Sequence, residues 1–125
     1  MVHEDFTYGG AKFDYDAYND TIFAFAPNQE YSSSLMFGDV ILDMNKDKDF
    51  IGVEILDASK KFNVSTYELL SPIRLTATLN ITDDEVKMSV EFTFIKRNKH
   101  IVRSVSAIGV NDMNLSPGTA TLALV

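Results

Sequence analysis

The second half of the chain is marked by strict alternation of apolar and polar residues. In residues 73–82, IRLTATLNIT, every odd-numbered position is apolar, and residues 85–95, EVKMSVEFTFI, repeat the pattern after an Asp-Asp pair. Such alternation is typical of a strand with one buried face, because successive side chains point to opposite sides of a sheet. Residues 100–110 alternate less strictly, and residues 119–125 are apolar. We therefore expect four strands in residues 73–125.

Shorter apolar runs separated by turn residues predict two hairpins in the first half. The first covers residues 12–27 and turns at Asn19-Asp20, because Asn and Asp favour turns. Residues 28–34 carry no period and are predicted to form a loop. The second hairpin joins residues 39–44 to residues 50–57 through the turn NKDKD.

A helix is indicated between the two halves. Ser65 is an N-cap candidate with Glu68 three positions later, and Pro72 provides a stop. The sequence thus predicts an α+β, mostly β fold: an antiparallel β-meander of about eight strands, as one sheet or two packed sheets, with one short helix near 58–70. The length of 125 residues suits a single domain, 1–125.

The apolar end of the chain, which runs to Val125, sets a further expectation. An unpaired apolar strand edge invites association with another chain. We expect this strand to be central in the sheet or to lie in a subunit interface.

Composition and charge exclude several classes of function. The chain has no Cys, which removes disulfides and thiolate sites, and it shows neither a secretion signal nor a membrane span, so we predict a cytoplasmic protein. The formal charge of −7 opposes binding of nucleic acid, which depends on Lys and Arg. The charge is uneven, at −9 in residues 1–57 and +2 in residues 58–125.

Residues 12–62 resemble the family known as domain of unknown function 2283. The resemblance rests on YDAYNDTIFAF and GVEILDAS, joined through DVILDMNKDKD. The matching residues are Tyr15, Asp16, Asp20, Asp39, Asp43, Gly52, Glu54, Ile55 and Leu56. The resemblance implies a small β-meander followed by a helix, and it supplies no settled activity, catalytic residue or cofactor to carry over. Because such domains are sometimes encoded beside toxin-like proteins, it suggests a binding role. Lys48 stands where the family commonly has Gly, which puts the geometry of the acidic turn in question.

The acidic turn also matches the spacing of a calcium loop. Positions 1, 3, 5, 7 and 12 of such a loop carry oxygen ligands, and here they are Asp43, Asn45, Asp47, Asp49 and Glu54. Against a calcium site, Lys48 occupies the position that requires Gly, and alternation from Gly52 directs Glu54 toward a sheet face. A solvated hairpin turn is the competing interpretation.

Two other groups of residues are candidates for chemistry or binding. Asp14, Asp16 and Asp20 would form paired carboxylates for hydrolysis if the two hairpins brought them near the acidic turn. Lys96, Arg97, Lys99 and His100 form a basic hairpin tip that suits turn solubility or a protein contact. His3 and His100 lack the paired spacing of a metal site.

The sequence favours a non-enzymatic interaction or assembly module that self-associates as a homo-oligomer through exposed strand edges. It contains no readable catalytic constellation, and it implies no cofactor, nucleic acid or membrane. The alternatives are a divalent cation at residues 43–54 and a partner that neutralises a toxin-like protein.

Overall fold

A computed structural model describes residues 6–8 and 10–124, and within this range side chains are described from residue 10 to residue 123. The described residues form two five-stranded sheets. The first, sheet A, has the order β1-β10-β7-β8-β9, and the second, sheet B, has the order β2-β3-β6-β5-β4. The strand bounds are Phe6–Tyr8, Lys12–Asp16, Thr21–Phe25, Ser33–Phe37, Val40–Met44, Phe50–Ile55, Arg74–Ile81, Glu85–Lys96, Lys99–Val110 and Gly118–Leu124, for β1 to β10 in chain order. The predicted mostly β fold with one short helix is confirmed. Of the two predicted arrangements, one sheet or two, the structure has two sheets.

Sheet A is built on the alternation seen in the sequence. The apolar positions of β7 and β8 are buried while the intervening polar positions face outward. Tight turns join β7 to β8 and β8 to β9, and all three strands pair antiparallel. The β8–β9 turn places Arg97 and Asn98 at positive φ, as the favoured two-residue hairpin turn requires.

The C-terminal strand β10 lies inside sheet A, between β7 and β1. Its backbone pairs antiparallel with β7 and parallel with β1. The side chains of Ala120 and Leu122 are fully buried. Of the two expected places for this strand, the structure supports the central one. Val125, at which the predicted apolar edge ends, lies outside the described residues.

Sheet B contains both predicted hairpins and one strand, β4, that was not predicted. The prediction of a loop over residues 28–34 was wrong at its end, because Ser33–Phe37 forms β4 and pairs with β5. The residues of β4 that face the core are only half-buried, and two of its five residues are Ser. The alternation of apolar and polar residues that would predict a strand is therefore weak here. The pairing of β5 with β6 shifts register between Asp43 and Met44, which leaves Ile51 as the extra residue of a β-bulge.

The helical segment contains one helical turn and one 3-10 turn. Helix α1, Ala58–Phe62, begins after Asp57 and ends at Asn63, and both flanking residues have positive φ. The 3-10 helix Glu68–Leu70 follows. The predicted Ser65 cap forms as a reciprocal pair: the Glu68 N–H donates to Ser65 Oγ (3.1 Å) and the Ser65 N–H to Glu68 Oε1 (2.9 Å).

One cluster of buried apolar side chains joins the two sheets and α1. At its centre Phe92 of β8 packs against Phe62 of α1, with ring centroids 5.6 Å apart, and against Phe13 of β2 at 6.3 Å. At one edge the Phe37 ring fills the space beside Gly109, where an added Cβ would overlap two of its ring carbons. Gly109 is therefore required by close packing between β4 and β9.

Candidate functional site

The acidic turn between β5 and β6 is held by its own hydrogen bonds. Asn45 Oδ1 accepts the backbone N–H groups of Asp47 (2.9 Å) and Asp49 (3.1 Å), as Asx turns do. Lys48 adopts a φ of 63°, in the left-handed region that favours Gly. The turn therefore has the backbone conformation expected of a Gly at this position, although the residue is Lys. The Lys48 ammonium reaches across to donate to the Met113 carbonyl at 3.2 Å, which gives this side chain a structural role.

The structure separates the five predicted calcium ligands into two groups. Asn45, Asp47 and Asp49 belong to the turn, whereas Asp43 and Glu54 lie on adjacent strands at the outer face of sheet B. Among residues 6–8 and 10–124, no group of three or more His, Cys, Asp or Glu side chains lies close enough to hold a metal ion. Calcium binding at residues 43–54 stays a prediction.

Asp43 and Glu54 form a hydrogen-bonded carboxyl pair beside a pocket. Burial, the hydrogen bond with Asp43 and the Asp43 charge together raise the pKa of Glu54 to about 7. Ser34 Oγ–H donates to Asp43 Oδ1 (2.8 Å), and the Tyr31 hydroxyl lies 2.7 Å from Ser34 Oγ. Near neutral pH Glu54 is therefore only partly ionised.

The pocket beside this pair has a volume of about 420 Å³. Gly52 lies opposite both Asp43 and Phe25 in the sheet, and an added Cβ would stand 3.3 Å from Phe25 Cβ and 3.5 Å from Asp43 Oδ2. Phe23 and Phe25 of β3 and Tyr31 from the following loop add aromatic surface, and Gln29 adds an amide. The arrangement offers aromatic rings and a carboxyl pair to one small ligand.

The second acidic group does not gather into a site. Asp20 accepts hydrogen bonds from the Tyr15 hydroxyl (2.6 Å) and from the N–H and Oγ of Ser59 (3.0 and 2.7 Å), which ties the β2–β3 turn to α1. Burial opposes ionisation of Asp20, but these bonds outweigh it and lower its pKa. Asp16 accepts hydrogen bonds within its own turn, and Asp14 lies opposite Phe23 on the strand beyond β3. The paired-carboxylate hypothesis therefore has no support from the placement of these three side chains.

The basic tip lies at the β8–β9 turn, where Lys96, Arg97, Lys99 and His100 are all exposed. Lys96 Nζ is 3.7 Å from Glu68 Oε2, so the Lys96 ammonium is turned toward the 3-10 helix. A contact of this tip with another protein stays a prediction. His3 lies outside the described residues.

The outer edge of β9 is the longest free strand edge in the described part of the chain. β9 extends over twelve residues and pairs with β8 along its whole length, and no strand of residues 6–8 and 10–124 pairs with its other side. Three apolar side chains on its outward face are largely exposed: Val102 by 50%, Ile108 by 60% and Val110 by 70%. A groove of about 290 Å³ runs between residues 105–108 of β9 and the β4–β5 turn.

The sequence indicates only part of these features. Alternation correctly placed Glu54 on a sheet face. The pairing of Glu54 with Asp43 depends on the bulged β5–β6 register, and the link from Tyr31 through Ser34 to Asp43 depends on the β4–β5 pairing. The sequence carries no strong signal for either. Tyr15 and Asp20 belong to the family resemblance, and the structure adds that the Tyr15 hydroxyl donates to Asp20, which also accepts hydrogen bonds from Ser59 of α1.

Comparisons with known proteins find one family model and two archaeal proteins that are similar to this chain. The family model described as "Protein of unknown function (DUF2283)" matches residues 12–59. A protein of Methanosarcina mazei named "Putative hypoxanthine phosphoribosyltransferase" is 33% identical over 113 residues, which are 90% of this chain and 92% of that protein. A Methanocaldococcus jannaschii protein named as uncharacterized is 31% identical over 112 residues, which are 89% of this chain and 97% of that one. No solved structure matches.

These comparisons leave the activity open. A family of unknown function and an uncharacterized relative are compatible with a protein that has no catalytic activity. No helix among the described residues is long and apolar enough to cross a membrane. Neither relative is named for a toxin or its antagonist, and neutralisation of a toxin-like partner stays a prediction.

Proposed function

We propose that this chain, which belongs to one family with the two archaeal relatives and carries the DUF2283 segment at residues 12–59, is a non-enzymatic assembly module. Two copies join through the free edges of their β9 strands. The observation that carries the proposal is the twelve-residue edge itself, because an unpaired strand edge is a template for pairing with another chain.

The ladder between β8 and β9 determines which backbone groups face the free edge. Asn111, just after β9, donates its N–H to the Asp84 carbonyl at 2.9 Å. In an antiparallel ladder, hydrogen-bonded residue pairs alternate with pairs that are not hydrogen-bonded. Every second pair counted from Asp84–Asn111, such as Val86–Gly109, is therefore a hydrogen-bonded pair between β8 and β9. The even-numbered residues from His100 to Val110 consequently direct their N–H and C=O groups away from β8.

This parity restricts how two β9 strands can meet. In an antiparallel pair related by a two-fold axis, even-numbered residues must oppose even-numbered residues. The register that places Val105 on the axis pairs Val102 with Ile108 of the second copy and Ser104 with its Ser106. It matches apolar with apolar and hydroxyl with hydroxyl, and it forms about twelve backbone hydrogen bonds.

The edge carries few of the features that block pairing. Natural edges are protected by Pro, short length, bulges or inward charges. β9 has no Pro, it pairs without a register shift, and Arg103 is the single charged residue between His100 and Val110. The Arg103 guanidinium donates to the Val102 carbonyl at 3.3 Å, an exposed bond that an N–H of the second copy replaces in the assembly.

Light scattering coupled to size-exclusion chromatography tests this assembly. We expect the wild-type chain to give a mass of twice 14.0 kDa. Ser104→Pro removes an N–H that faces the free edge, so it spares the β8 ladder and should give the monomer. Ser104→Ala keeps that N–H and should remain dimeric. Far-ultraviolet circular dichroism checks that both variants fold.

A double substitution provides a second test of the β9 edge in case the Ser104→Pro variant does not fold. Val102→Lys combined with Ile108→Lys places like charges opposite each other in the proposed register and should also give the monomer. A wild-type monomer over the whole concentration range overturns the proposal. A folded Ser104→Pro or double-Lys variant that stays dimeric overturns the choice of edge.

The name of the Methanosarcina mazei relative defines the competing function, transfer of a phosphoribosyl group to hypoxanthine. Substrates with several phosphates require cationic or metal-assisted contacts. The described pocket is lined instead by two carboxyl groups and aromatic rings, without Lys or Arg. We expect no hypoxanthine-dependent consumption of phosphoribosyl pyrophosphate by the purified chain, and magnesium-dependent formation of the nucleotide would reverse this assignment.

A further inference from the structure

The pocket on the outer face of sheet B has no role in the β9 assembly. It lies on the other sheet and holds two kinds of surface side by side. On one side are rings that solvent can reach, with Phe25 40% and Tyr31 60% exposed. On the other side are the Asp43 and Glu54 carboxyl groups, and Gly52 lies between the two surfaces.

The charge inside the pocket is not neutralised by a basic residue that lines it. The partners of the carboxyl pair are neutral, since Asp43 accepts a hydrogen bond from Ser34 and Glu54 shares one with Asp43. On the neighbouring strand β2, Lys12 lies opposite Phe25 and Asp14 opposite Phe23, so these two charges flank the pocket beyond its rings. The pocket therefore presents negative charge next to exposed aromatic faces.

We propose that this pocket binds a small organic cation, an amine or guanidine that carries an apolar group. Carboxylates form charge-assisted hydrogen bonds with the cationic head. Aromatic faces attract the same charge through their quadrupoles and cover the apolar part. A bare metal ion fits less well, because the pocket has two carboxyl groups and the described residues provide no group of three acidic or His ligands.

Occupation by a cation should change the protonation of the carboxyl pair. Without ligand, Glu54 is close to half protonated near pH 7. A positive charge beside the pair favours the ionised form of Glu54, so the bound complex holds fewer protons. Near pH 7 binding should consequently release up to about half a proton per ligand. A neutral ligand of the same shape has no such effect.

Isothermal titration calorimetry of the full chain near pH 7 tests the proposal. The probes are benzylamine, agmatine and choline, with benzyl alcohol as the neutral counterpart of benzylamine. We expect at least one cation to bind about tenfold more tightly than benzyl alcohol. For the amine or guanidine probe, the heat should vary with the ionisation enthalpy of the buffer in the direction of proton release.

Matched variants distinguish the pocket from the acidic surface in general. Glu54→Gln should weaken binding and abolish proton release, and Phe25→Leu should weaken binding. Glu91→Gln, at an exposed position on the outer face of sheet A, should change neither. Absence of binding by all three cations at millimolar concentration overturns the proposal. Equal affinity for benzylamine and benzyl alcohol does so too, as does binding that Glu54→Gln leaves unchanged.

Discussion

The stability of the chain should fall as pH rises through the range in which Glu54 ionises. The pKa of Glu54 is raised from 4.5 to about 7 by burial, by its hydrogen bond with Asp43 and by the Asp43 charge. Between these two values the folded chain binds more protons than the unfolded chain. The Glu54 contribution to stability is therefore complete below pH 4.5 and is lost as pH rises through about 7.

The magnitude follows from the size of the shift. At about 1.4 kcal/mol per pKa unit, the whole shift corresponds to about 3 kcal/mol. Glu54 is only partly buried, and solvent screening reduces the net effect to about 1–2 kcal/mol. Glu54→Gln keeps a neutral hydrogen-bonding group beside Asp43, so it should remove this penalty at high pH.

Urea unfolding followed by circular dichroism measures the effect at pH 4.5 and at pH 8. We expect Glu54→Gln to match the wild type at the lower pH and to exceed its free energy of unfolding by about 1–2 kcal/mol at the higher pH. Glu91→Gln corrects for the general effect of lower net charge. A Glu54→Gln difference that is the same at both pH values, or of opposite sign, refutes the reasoning.

Three further changes test other parts of the structure. Asp20→Ala should destabilise the fold by about 2–3 kcal/mol in urea unfolding, because it leaves the Tyr15 and Ser59 donors unpaired; a cost no larger than that of Ser59→Ala would contradict this. Gly109→Ala should lower the melting temperature because its Cβ overlaps the Phe37 ring, and the same substitution should be tolerated in a Phe37→Ala background. The calcium hypothesis for Asp43 to Glu54 predicts that millimolar calcium raises the melting temperature and chelator reverses it, and an unmoved melting temperature rejects it.

The sequence predicted sheet A well because its information is local. Alternation in β7 and β8 determines which side chains are buried, and short polar turns determine which strands are neighbours. The parallel pairing of β1 with β10 joins the two ends of the described chain, and no local pattern encodes such a long-range contact. β4 escaped detection because it is an edge strand with a half-exposed inner face.

The candidate pocket was less predictable than the fold. Alternation from Gly52 places Glu54 on the outer face of sheet B, but the bulge at Ile51 brings Asp43 into register with Gly52 and near Glu54. The calcium spacing is a linear pattern, and folding sends its first and last residues to strands while its middle stays in the turn. The spacing of these acidic residues in the sequence therefore did not predict which of them lie close together in the fold.

Hydrogen exchange at β9, followed residue by residue by nuclear magnetic resonance, tests the assembly most directly. The odd-numbered amides from Ile101 to Gly109 bond to β8 and should be protected in every state of the folded chain. The even-numbered amides from Val102 to Ile108 face the free edge. We predict that they are protected in the wild-type chain and exchange rapidly in folded Ser104→Pro. Rapid exchange of these even-numbered amides in the wild-type chain would contradict the assembly of two copies through β9.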